Sequence, residues 1–146
     1  MEEIAIFLII QLAMIATALW ESRIEGRNIG ASNQTGWKID IFGTKFTEYH
    51  FWLWIVAYPL LLSIPLIIDF SWKLLTVLVC SYIVGLVIED FMWFVFNSQF
   101  SLKHFNSNNV KWYQWLKIGK FEIPFFYPFY IVFSAMIYLI FLILSR

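Results

Sequence analysis

Four long apolar runs, separated by polar stretches of unequal length, dominate the chain. They cover about residues 4–20, 51–68, 72–96 and 127–144. Each has the roughly 17–25 residues that a helix needs to cross a bilayer. Pro59 and Pro65 fall inside the second run and predict a kink there. Each proline removes a backbone donor and crowds the carbonyl one turn back. Ser71 suits the N-cap of the third helix. Residues 69–71 make a tight turn, whereas 21–50 and 97–126 are long connections. Four crossings place both long connections on one face, with the termini and the tight turn on the other.

The long connections are themselves patterned. Residues 37–42 alternate and run into Gly43, and residues 116–123 alternate around Gly119. Alternation with period two beside a glycine turn predicts short strands, here near 38–42 and 117–123, able to pair into one small sheet. Trp112, Tyr113 and Trp115, mixed with Lys111 and Lys117, suit a segment lying at headgroup level. The halves resemble one another faintly. Residues 43–48 correspond to 119–122, and Glu21 to Glu89.

Composition makes the solvent clear. Of 146 residues, 61% are hydrophobic, 21% aromatic and only 14% charged, with a mean hydropathy of +0.73. Soluble domains are about 25% charged. The expected fold is an all-α integral membrane protein, one domain over 1–146. It has four transmembrane helices and two long, partly β-structured loops. Membrane lipid is an expected partner, and association into a homo-oligomer or a larger membrane complex is compatible with the exposed apolar surface. Zero formal net charge leaves no basic field for nucleic acid. Glu2 and Glu3 place acid where a signal peptide needs positive charge, so the first run is read as a retained helix.

Charge also orients the chain. Arg23, Arg27, Lys38, Lys45, Lys103, Lys111, Lys117 and Lys120 lie on the long-loop face, against Lys73 and Arg146 on the other. This excess predicts cytoplasmic long loops and outside termini, in the cell membrane. The sequon at Asn33 then never meets the glycosylation machinery.

The chemistry concentrates in the third run. Glu89 and Asp90 are adjacent acids in an otherwise apolar helix, where a charge costs roughly 2.5–3.5 kcal/mol near the centre. Glu89 follows Trp72 by about 26 Å of helix rise, near the end of a hydrocarbon core about 30 Å thick. Tyr82, Gly85, Glu89, Trp93 and Phe96 share a face, adjoined by Asp90 and Asn97. Gln11, Met14, Ala18, Glu21 and Glu25 form a like stripe on the first helix, and Tyr127, Tyr130, Ser134 and Tyr138 on the fourth.

Three readings of this rim stay open. In the first, the acids pair with Arg23 and Arg27 and close the bundle. In the second, Glu21, Glu48, His50, Glu89, Asp90 and His104 supply donors for a divalent metal ion. In the third, the arginines hold a lipid headgroup. Glu21, Arg23, Glu25, Arg27, Glu48, Asn97 and His104 are the candidate binding residues. Glu89, Asp90 and His50 are the candidate catalytic groups. No nucleophile elbow, phosphate loop or zincin signature is present. The expected function is a non-catalytic membrane subunit or interaction protein. The alternative is a small membrane enzyme acting on a lipid or amphiphile.

Overall fold

Polar stripes decide how the helices associate, because hydrogen-bonding groups on apolar helices need partners when buried. In the computed structural model, which describes residues 2–27, 36–41 and 44–145, four helices are long and apolar enough to cross a membrane. They are α1 (Glu2–Glu25), α2 (Glu48–Ile68), α3 (Trp72–Phe96) and α4 (Phe126–Leu144). The α1 stripe, Gln11, Met14, Ala18, Glu21 and Glu25, is buried throughout. It faces α3, the central helix, which also packs against α4 and touches α2 only lightly. The outer faces expose large apolar residues such as Ile4, Leu12, Ile67 and Ile143.

Small residues and polar cross-links hold α3 to its neighbours. A Cβ on Gly85 would stand 2.7 Å from Met14 Cγ, so its absence permits the α1–α3 approach. Below this contact, Gln11 donates its amide to the Ser81 carbonyl at 3.0 Å. On the α4 side, Cys80 donates its thiol to the Ser134 carbonyl at 3.3 Å, and the Ser134 hydroxyl donates to the Cys80 carbonyl at 3.2 Å. Ser71 caps α3, its hydroxyl accepting from the Leu74 N–H at 3.1 Å.

The second helix departs from the regular form. Phe51–Ala57 is wound as a π-helix, and an α-helical segment starting at Tyr58 follows. Pro59 has no N–H for the Ile55 carbonyl, and its ring would crowd that oxygen in a regular helix. Widened turns just before a proline relieve the conflict. Pro65 lies inside the helical segment that follows.

Both long connections carry a two-stranded antiparallel hairpin. β1 (Lys38–Ile41) pairs with β2 (Thr44–Thr47), and β3 (Trp115–Ile118) with β4 (Phe121–Pro124). The hairpins are separate sheets, whereas the sequence pattern suggested that the two alternating stretches join each other. A short local turn costs less closure entropy than a distant partner. Gly119, at φ 61°, supplies the left-handed conformation that a two-residue hairpin turn requires. The Asn33 sequon and Gly43 lie outside the described residues.

The second connection folds onto the end of the bundle. Val110 is fully buried with Ala18, Trp93 and Phe94, and Phe105, Trp112 and Trp115 pack around them. Ser107 donates its backbone N–H to Glu122 at 2.7 Å and its hydroxyl at 3.1 Å. These bonds, with Lys117 at 3.3 Å, hold the Glu122 carboxyl below its usual value. Asn97 closes α3. Its amide donates to the Gly26 carbonyl at 2.7 Å, and its side-chain oxygen accepts from the N–H groups of Gln99 and Phe100. The ends of α1 and α3 are thereby tied together at the loop-bearing end of the molecule.

Candidate functional site

The buried stripes of α1 and α3 converge on acids. Glu21, Glu25, Glu89 and Asp90 line one cavity of about 370 Å³. Glu21, Glu25 and Glu89 are 4%, 7% and 8% exposed. Glu21 accepts a hydrogen bond from the Tyr49 hydroxyl at 2.5 Å, and Glu89 lines the same cavity.

Asp90 points elsewhere, as a helical step of about 100° requires. Its two oxygens accept from Tyr113 and from Tyr127, the latter at 2.5 Å. Tyr113 arrives from the second connection and Tyr127 from the first turn of α4. Burial, with the Asp90 carboxylate beside it, pushes the Tyr113 phenol well above its ordinary value. Tyr113 thus stays a donor to Asp90.

Two polar atoms on α3 are left over. Glu89 Oε1 and Trp93 Nε1 are buried and have no hydrogen-bond partner among the described residues. They belong to residues one turn apart on one helix face, and both residues line the cavity. The walls are aromatic, with Trp54, Trp93, Trp112, Tyr113, Phe126 and Tyr130 around the acids. No Lys or Arg lines the cavity among the described residues. His50 is its only imidazole, and His50 Nδ1 is engaged with Thr47 Oγ1 at 2.7 Å.

The other sequence candidates have different places. Arg23 and Arg27 are exposed, and neither makes an ion pair among the described residues. In place of the expected arginines, tyrosine hydroxyls meet Asp90 and Glu21. Helical phase explains the difference. Arg23 is two residues past Glu21, on the opposite side of α1. Glu48 binds Trp37 N–H and Trp52 Nε1, each at 3.2 Å, beside the first hairpin. Asn97 serves as the helix stop, and His104 stacks on Phe100 at 4.8 Å. Of the expected metal donors, Glu48 and His104 lie apart while Glu21, His50, Glu89 and Asp90 line the cavity, and no three His, Cys, Asp or Glu side chains group as metal ligands among the described residues.

Sequence reasoning passed over Tyr49, Trp54 and Phe126, and it read Trp112 and Tyr113 as interfacial. Their signal was available only in part. Aromatic residues clustered at helix ends look the same whether they meet headgroups or a cavity.

No family model matches the chain, no curated protein is significantly similar to it, and no solved structure matches it.

Proposed function

We propose that this chain is a small, non-catalytic integral membrane protein that binds an organic cation in the acid-lined cavity. In this reading the four apolar helices cross the cell membrane. The division of Lys and Arg supports cytoplasmic long loops, which puts the cavity at the cytoplasmic rim. The observation that carries the ligand class is Glu89 Oε1, buried and unpartnered in a cavity with four carboxyls and no lining Lys or Arg among the described residues. Buried charge left without a counter-ion is costly. An ammonium group supplies that counter-ion, and aromatic walls stabilise it further through cation–π attraction worth roughly 0.5–2 kcal/mol.

The test is calorimetric titration of the protein in detergent with tetraethylammonium and with benzylammonium. Saturable binding of at least one is expected. Glu89→Gln should weaken it at least tenfold with little change in melting temperature, and an uncharged analogue of the same shape should not bind. Absence of saturable binding by both cations would overturn the reading.

A further inference from the structure

The second connection carries an apolar face that stays largely uncovered. In the β3–β4 hairpin, Ile118 pairs with Phe121 and Leu116 with Ile123. Side chains alternate along a strand, and cross-strand partners share a face. These four therefore form one face, with Lys117 and Glu122 on the other. Ile118 is 69% exposed and Phe121 82%. Phe121 and Ile123 also line a groove of about 530 Å³ together with Val87, Ile88, Phe91 and Met92 of α3. The charged residue of its lining, Glu122, is engaged by Ser107 and Lys117. Its phenol, Tyr127, donates to Asp90. The groove thus makes no unmet polar demand, and an apolar occupant fits it. Val87 precedes the end of α3 at Phe96 by 9 residues, about 14 Å of rise. A hairpin whose tip shares a groove with Val87 folds back along the helix and not away from its end.

We propose that this groove holds an acyl chain of a membrane phospholipid, with the apolar hairpin face seated at the boundary between headgroups and acyl chains. The inference is independent of the cation site and shares with it only the reading that the four helices cross a membrane. Phe91 and Ile123 line the groove and are also exposed, so a chain enters from the side without passing a polar layer. Being two-stranded, the hairpin leaves a backbone edge unpaired on each strand among the described residues. Hydrocarbon would not satisfy those edges, which keeps the hairpin at the interface and no deeper. Lys117 and Lys120 bracket the exposed residues in sequence, and lysine stems reach from apolar surface to headgroups. A second copy of the chain fits less well, since stable interfaces engage about 20–30 residues a side and this face has four.

The protein is placed in phosphatidylcholine nanodiscs, and its bound lipid is followed by native mass spectrometry. One phospholipid per chain should persist after the rest are stripped. Ile123→Trp fills the groove and should lose that lipid with its melting temperature unchanged. Ile143→Trp, on the open outer face, should keep it. Where Ile123→Trp does not fold, Phe91→Trp fills the groove from the α3 side. With Cys80 replaced, a nitroxide at Phe121→Cys should meet oxygen more readily than a water-soluble nickel chelate, as should one at Met136→Cys on α4. Retention of no lipid, or equal retention by parent and groove-filling variant, overturns the proposal. So does a nitroxide at Phe121→Cys that meets nickel while the one at Met136→Cys does not, or short distances between the nitroxides of two copies at Phe121→Cys. Nickel access at Met136→Cys overturns the membrane crossing itself. None of these outcomes bears on the tetraethylammonium titration.

Discussion

Asp90 shows how a single acid is accommodated at the end of an apolar helix. It is met by two phenols, from Tyr113 and Tyr127, which lie 23 and 37 residues further along the chain. A carboxylate that accepts two such bonds retains much of the stabilisation it loses by leaving water. Removing one donor leaves part of that demand unmet. Tyr127→Phe should therefore lower stability by about 1–3 kcal/mol, read as a drop in melting temperature in detergent. The same change should leave cation affinity nearly unaltered, since Tyr127 serves Asp90 and not Glu89. A melt unchanged from the parent would mean that water replaces the phenol freely.

At the scale of elements, the α1–α3 contact organises the molecule. Close packing and interhelical hydrogen bonds join the two helices. At Gly85, Met14 fills the space a side chain would take. Gly85→Ala should cost about 1–3 kcal/mol by forcing Met14 aside. The loss should be recovered in part by Met14→Ala in the same chain. Because Glu89 lies one turn beyond Gly85, the shift should also weaken cation binding, which separates a packing fault from a merely local one. Equal melting of Gly85→Ala and parent would show that the helices slide apart at no cost. The π-helical stretch of α2 belongs to the same scale, since it carries Trp54 to the wall of the cavity.

The whole molecule is asymmetric from end to end. One end holds both hairpins, the buried acids and the helix stop at Asn97. The other has the tight turn and the Lys73–Glu3 ion pair. The charge division across these ends predicts insertion with the hairpins in the cytoplasm. With Cys80 replaced, a cysteine at the exposed Asn108 should react with a membrane-impermeant maleimide only after the membrane is opened. Labelling of intact cells at that position would reverse the orientation. The cavity would then face outward, and a cation would reach it from outside the cell.

Local pattern alone determined the four long helices, the buried stripe from Gln11 to Glu25 and the position of Glu89 and Asp90 near one helix end. Those features depend on run length and on a period of 3.6 residues, which any stretch of chain carries within itself. The hairpins were half legible. Alternation and Gly119 announced strands, but pairing with the nearest strand or the distant one is a matter of chain closure. The partners of the acids were decided by the tertiary structure. Arg23 is near Glu21 in sequence, yet helical phase turns it away, while Tyr49, Tyr113 and Tyr127 are brought in by α2, the second connection and α4, whose placement no local pattern encodes. A side chain's direction follows from its own helix, but what it meets depends on where every other element ends.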